Sequence, residues 1–213
     1  DLGVRGRLQD ILTYDDRAYG LLYDNRIGEI EDPEDSVGTL RSNIGTAFIF
    51  GLETFADINL KSLLAPANEK LKLNYFLNMA ITGSDYTDSE FNNVEGNEVE
   101  FIPNLNIKTG VNFGYGNFLG SLQYTYIGEQ FTDATNSPPL LFDARNAGII
   151  GSIPSYNVLD FSLSYNWQRF RLEAGINNLL DASYFTRRAT GYPGPGIIPA
   201  EPRTFYTTLQ IKL

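Results

Sequence analysis

Histidine and cysteine are both missing from the 213 residues, methionine and tryptophan occur once each, and nowhere do apolar residues run on for long. Each absence excludes something. Without His, Ser-His-Asp and Cys-His catalysis and His-based zinc or iron sites are impossible within this chain. Without Cys there is no disulfide and no thiolate chemistry, and an oxidising compartment is neither required nor excluded. A Ser-Lys or two-carboxylate mechanism stays formally open, but no close carboxylate pair on one face invites a glycosidase reading. The chain is therefore read as a non-enzyme with no cofactor. The longest solid apolar stretch, roughly Ala47 to Leu52, falls far short of the ~18 residues a membrane-spanning helix needs. Positive charge is scarce as well: 16 Lys and Arg stand against 26 Asp and Glu, a net charge of −10, which argues against nucleic acid as a partner. There is no initiating Met and no basic-then-apolar leader. The chain starts at Asp1 in what already reads as a strand, so it is expected to be a piece of something larger.

What is present is a period of two. Leu159, Phe161, Leu163, Tyr165 and Trp167 alternate with Asp160, Ser162, Ser164 and Asn166. After Gln168-Arg169, Phe170, Leu172, Ala174 and Ile176 alternate with Arg171, Glu173, Gly175 and Asn177. The terminal run sets Phe205, Thr207, Leu209, Ile211 and Leu213 against Thr204, Tyr206, Thr208, Gln210 and Lys212. Such alternation gives a sheet one apolar and one polar face. In a water-soluble sandwich the polar face looks out; in a membrane barrel it looks in, and the apolar face meets lipid. The function turns on which inversion applies.

Turn signals predict nine strands, roughly 1–8, 12–26, 42–60, 69–81, 99–113, 117–131, 155–167, 170–178 and 203–213. A helix is arguable only over 55–65. Ile49 and Phe55 break the alternation of the third strand. The connections alternate in length down the chain: short near 9–10, 62–68, 114–116 and 168–169, long at 27–41, 82–98, 132–154 and 179–202. A soluble Greek key has no reason to collect its tight turns at one end, whereas outer-membrane barrels do so systematically. Phe113, Tyr115, Phe118, Trp167 and Phe170 cluster at the short-turn end, where an interfacial girdle would lie; cross-strand aromatic pairing in ordinary hairpins is the alternative. The expected fold is all-β, an antiparallel up-and-down transmembrane β-barrel.

The segment GINNLLDASYF, residues 175–185, followed by the final strand PRTFYTTLQIKL, resembles the carboxy-terminal part of TonB-dependent outer-membrane receptors. DLGVRGRL at 1–8, YDNRIG at 23–28 and RSNIGTAFIFGLE at 41–53 are similar to phrases of the same family, and YFTRRATGYPGPGIIP at 184–199 most resembles its ferric dicitrate transport branch. The resemblance implies that residues 1–213 are about the last nine strands of a barrel of about 22, with the plug domain and the first strands absent. It implies an outer-membrane, multi-pass location and TonB-dependent uptake of a ferric chelate resembling ferric citrate. The implied partners are that chelate, membrane lipid and lipopolysaccharide, TonB through the absent plug, the barrel-assembly machinery through the terminal strand, and a surface lipoprotein. A porin, another nutrient or glycan uptake barrel and a soluble β-sandwich binding module are the competing readings.

Arg187 and Arg188 in one long loop and Arg145 in the preceding one are the candidate ligand-binding residues. An anionic ferric carboxylate would suit their paired guanidinium donors, and solvated or locally paired arginines are the plain alternative. The acidic runs Glu29–Asp35 and Asp85–Glu100 have the oxygen donors calcium prefers but no EF-hand spacing, and no metal ligand is assigned. Asn178 to Asp181 reads as a device for shaping the strand's exit. The loop Gly191-Tyr192-Pro193-Gly194-Pro195-Gly196 is a rigid hairpin tip rather than a phosphate cradle. Asp160, Glu173, Asn112 and Lys108 are expected on the inner, polar face.

Overall fold

The computed structural model describes residues 1–31, 39–137, 148, 151–189 and 196–212. The strands are β1 (Leu2–Leu8), β2 (Leu12–Glu31), β3 (Thr39–Ile58), β4 (Leu71–Asp88), β5 (Leu105–Tyr115), β6 (Phe118–Ile127), β7 (Gln130–Phe131), β8 (Ser152–Ile153), β9 (Tyr156–Trp167), β10 (Phe170–Asn177), β11 (Phe185–Ala189), β12 (Gly196–Pro199) and β13 (Thr204–Ile211). One nine-stranded antiparallel sheet runs β1-β2-β3-β4-β5-β6-β9-β10-β13, and two small ribbons pair β7 with β8 and β11 with β12. Every neighbour in the large sheet is the next large strand in sequence, which is the up-and-down order.

The register decides the faces. Leu163 stands opposite Gly120 and Ala174, and Leu172 opposite Tyr165 and Leu209. Leu163, Leu172 and Leu209 are 37%, 49% and 59% exposed, and no second layer of protein covers them among the described residues. A soluble sandwich would bury this face, since burial of apolar area is what holds such folds together. Asn112 pairs with Ser121, Lys108 with Thr125, Asp160 with Gln123 and Glu173 with Ser164, so the polar residues share the other face.

Three short turns are tight. Gly116-Asn117 joins the closing pair Tyr115↔Phe118 with Gly116 at φ 57°, and Gln168-Arg169 joins Trp167↔Phe170 with Gln168 at φ 51°. The left-handed backbone matches the strand twist in such two-residue hairpins. Near them Phe118 packs on Tyr165 with ring centroids 4.5 Å apart, and Trp167 on Phe170 at 6.0 Å. The fourth short connection holds the helix α1 (Leu60–Leu64), capped by Asn59, whose side chain accepts from the Ser62 amide at 3.1 Å. It is half the length of the helix the sequence allowed.

Six glycines lie directly opposite an aromatic residue whose own ring covers them: Gly6 and Tyr14, Gly51 and Tyr19, Gly83 and Phe50, Gly110 and Phe76, Gly120 and Phe113, Gly175 and Tyr206. In each case a ring lies over the glycine; a Cβ on Gly120 or Gly175 would come within 2.4 Å of it. Rings laid over missing side chains restore lateral packing on both faces of a sheet.

Several strand boundaries need correction at the long-loop end, among them that of β4, which runs on to Asp88 rather than stopping near 81. β2 and β3 were expected to stop near 26 and start near 42, but their hairpin continues to Glu31 and Thr39. A bulge, with Asn25 at φ 54°, absorbs the change of register between Tyr23 and Arg26. Conversely, β5 begins at Leu105 rather than 99, because Val99 and Glu100 are buried in a loop core instead of sitting on the sheet. β6 ends at Ile127 rather than 131, since Gln130 and Phe131 pair with Ile153 and Ser152 in their own ribbon.

Candidate functional site

The long connections fold over the polar face and build a core of their own. Ile30, Ile44, Ala47, Ile49 and Tyr86 from the strand ends enclose Val94 and Val99 from the 89–104 loop and Ala134 from the 128–137 segment. This explains why Ile49 faces the polar side: it is the floor under these loops. Backbone bonds complete the layer. The Tyr86 amide donates to Asn97 O at 2.9 Å, the Ala134 amide to Glu29 O at 2.9 Å, and the Phe101 amide to Phe131 O at 2.8 Å. Asn136 clamps residue 98, donating from Nδ2 to Glu98 O at 2.8 Å and accepting the Glu98 amide at 2.7 Å.

Inside this core sits a polar triad. Glu100, 4% exposed, accepts from the Tyr86 hydroxyl at 2.7 Å and lies 3.5 Å from Arg26 Nη2. Gly28 leaves room for it, since a Cβ there would lie 2.4 Å from Glu100 Oε1. Burial first, and then the Glu100 carboxylate, pushes the Tyr86 hydroxyl well above the ordinary tyrosine range. Sequence reading missed this group. The signal that could have found it is the pair Val94 and Val99 embedded in an acidic run, because apolar residues in an otherwise solvated loop mark a buried side.

The three candidate arginines are not brought together. Arg188 is spent on the loops themselves: Nε and Nη2 donate to Ser152 O at 3.3 and 2.7 Å, Nη1 donates to Gly148 O at 2.7 Å, and the guanidinium lies 5.2 Å from the Phe185 ring centroid. It staples the β11-β12 ribbon to Gly148 and Ser152, and burial there lowers its pKa from the ordinary arginine value. Arg187 is exposed, opposite Ile198 in the ribbon. Arg145 and the hairpin tip 191–195 lie outside the described residues, as do residues 32–38 of the first acidic run. Among the described residues no group of three or more acidic side chains could hold a metal ion. Asn178 and Asp181 do shape the exit of β10. Asn178, at φ 52°, exchanges two bonds with Ala182 at 2.8 and 2.9 Å, and Asp181 Oδ1 accepts the Arg203 amide at 3.0 Å.

Below the loop layer the polar face carries two grooves of about 650 Å³ each. The lower one is lined by Asp15, Arg17, Glu53, Asn78, Asn106 and Lys108. Arg17 is forked onto Asp15, both contacts at 3.0 Å. The upper one lies against the loop layer and is more apolar, with Tyr19, Leu21, Ile49, Phe101, Ile102 and Pro103 among its walls.

Comparison with known proteins fits this geometry. Residues 1–179 match the family described as TonB dependent receptor-like, beta-barrel. No curated protein sequence matches the chain. Among solved structures, the ferric citrate transporter FecA superposes with a TM-score of 0.75 at 23% identity, over 95% of this chain and 29% of that one. The ferric yersiniabactin uptake receptor FyuA from Yersinia pestis gives 0.71 at 21%, over 98% and 28%. The copper transporter OprC gives 0.70 at 18%, over 98% and 29%. The chain thus spans under a third of the length of the structures it resembles, and at these identities the likeness concerns the fold.

Proposed function

The chain belongs to the TonB-dependent receptor-like β-barrel family, and from that premise we propose that it is the carboxy-terminal part of the barrel of an outer-membrane receptor importing a ferric chelate. The observation that carries this reading is the inverted sheet: an uncovered apolar face with aromatic pairs at the short-turn end, and a polar face roofed by long loops. Lipid stabilises the first and an aqueous, plugged interior suits the second. In this reading the loops capture cargo outside, and the work of admitting it is supplied through TonB acting on a plug carried elsewhere in the protein. Lipopolysaccharide would surround the loop end, the barrel-assembly machinery would engage the terminal strand, and a surface lipoprotein would cap the loops.

A ferric chelate is favoured over a bare soft metal ion by composition. With no His, no Cys and one Met, this third of a receptor has none of the soft ligands beyond that Met that select copper. Ferric citrate is the narrower second reading, carried by the likeness of residues 184–199 and by the exposure of Arg187. The test is radioiron uptake by cells making the full-length receptor. Uptake that needs both the receptor and TonB supports the proposal; uptake persisting without TonB would make the protein a passive pore. For citrate, Arg187→Ala should weaken ferric dicitrate binding, and unchanged affinity removes Arg187 from the site.

A further inference from the structure

Phe101 is held in a conformation that a phenylalanine does not choose. Its φ is 60°, a left-handed backbone that costs a bulky L-residue roughly 1–2 kcal/mol. Its ring is 48% exposed although the residues around it are anchored. Val99 and Glu100 are buried in the loop core, the Phe101 amide is tied to Phe131 O, and Thr82 N donates to Asn104 O at 3.0 Å just beyond. With Glu100 fixed inward by Tyr86 and Arg26, the left-handed turn at the next residue throws the ring out over the upper groove. A strained residue held by its anchored neighbours at the edge of a cavity, with its own side chain left largely outside the core, points to function.

The groove's chemistry says what the ring would meet. Tyr19, Leu21, Ile49, Ile102 and Pro103 extend the apolar surface around Phe101. Between Thr82 and Pro103 there are six carboxylates and no basic residue. Arg17, which also lines the groove, is already forked onto Asp15. An anion entering here would find no unengaged lysine or arginine side chain among the described lining residues and would meet the carboxylates of the 83–102 segment.

We propose that Phe101 is a specificity-determining contact for the cargo, and that the cargo is a ferric chelate carrying an aryl or alkyl portion and no net negative charge. This rests on the uptake-receptor reading above and narrows its ligand. The apolar portion of the chelate stacks on the Phe101 ring and displaces water from the exposed surface of Leu21 and Ile102 beside it.

Full-length receptor in detergent, titrated with three ferric probes, tests it. Ferric tris(benzohydroxamate) is neutral and aryl-bearing, ferric tris(acetohydroxamate) neutral and small, and ferric dicitrate anionic. The aryl probe should bind tightest. Phe101→Asn should weaken it roughly tenfold, the loss of one ring contact, while leaving the acetohydroxamate complex unchanged. Asn tolerates the left-handed backbone, so this variant removes the ring without adding strain, and Phe101→Trp should preserve the aryl preference. Tightest binding of ferric dicitrate, an aryl preference that survives Phe101→Asn, or equal weakening of both neutral probes would overturn the inference. Failure of the wild-type receptor to bind any ferric probe would instead bring down the uptake reading, and the inference with it.

Discussion

Removing the Glu100 carboxylate should open the mouth of the molecule and leave its wall intact. In Glu100→Gln the Tyr86 hydroxyl keeps an acceptor but loses the charge at 2.7 Å, and the contact with Arg26 at 3.5 Å ceases to be an ion pair. A hydrogen bond to a charged group contributes about 1.5–3 kcal/mol against about 1 for a neutral one. The Arg26 pair adds less than a buried one would, since that side chain is 23% exposed. The expected cost is therefore about 1–2 kcal/mol, and Glu100→Ala, which takes away the acceptor of the Tyr86 hydroxyl, should cost about 1 kcal/mol more. The cost falls on the loop layer, so amide exchange is the assay. The Glu98 and Val99 amides, bound to Asn136 Oδ1 and Ser84 Oγ, should exchange roughly 5- to 30-fold faster, with β5 and β6 amides unchanged. Tyr86→Phe should give a similar acceleration, and the double variant should show a coupling of about 1 kcal/mol. Strict additivity, or loosening of β5 along with the loop, would refute the argument.

The same tyrosine predicts a pH dependence. Its pKa is raised in the folded loop, so the contribution is complete below its unfolded value of about 10 and is lost as pH climbs through the higher folded value; protection of the loop amides, after division by their intrinsic base-catalysed rates, should fall only above about pH 10, and in Tyr86→Phe it should show no such fall. Gln168→Gly should raise the unfolding midpoint of the full receptor by relieving a left-handed backbone at φ 51°, by about 1 kcal/mol; lower stability would show that the Gln168 side chain matters more. Gly120→Val drives a side chain into the Phe113 ring and should cost about 1–3 kcal/mol, recovered in part by Phe113→Leu. Arg188→Ala should open the backbone at Ser152 to limited proteolysis, and Arg188→Lys should rescue little because one ammonium cannot reproduce the fork to Gly148 and Ser152 carbonyls.

The wall was legible because one physical rule writes it. Leu159 to Trp167 cannot alternate so strictly unless the two faces meet different solvents, and the tight turns at Gly116-Asn117 and Gln168-Arg169 follow from what such a sheet needs at its ends. The mouth obeys a different rule. Val99-Glu100-Phe101-Ile102 leads straight into the alternation of β5 and reads from the sequence as its start, yet Val99 and Glu100 are buried in a loop core, and a short mixed run at a strand's edge looks the same in either setting. Arg188 was picked out for its charge. Its role is set by carbonyls of Gly148 and Ser152 about forty residues earlier, and no local pattern announces that. The ring-over-glycine pairs fall between these cases. Each glycine and each ring is visible in the sequence, but their juxtaposition depends on the register.

The two rules also divide the energetics. The wall is held by a continuous ladder of backbone bonds and by lipid, so a substitution at its polar face removes little that holds the strands together. The mouth has its own core of Ile44, Tyr86, Val94, Val99 and Ala134, closed over Glu100 and Arg26. A core this small contributes only a few kcal/mol, and opening it leaves every strand pair in place. That separation lets the same wall carry differently shaped mouths. It also locates specificity on the residue that the mouth's core strains outward, Phe101, rather than on the polar residues of the strands, where Arg17 is held by Asp15 and Asn74 by Asp57. If cargo selection instead followed changes at those strand residues while Phe101 tolerated any replacement, mouth and wall would have to be one functional unit.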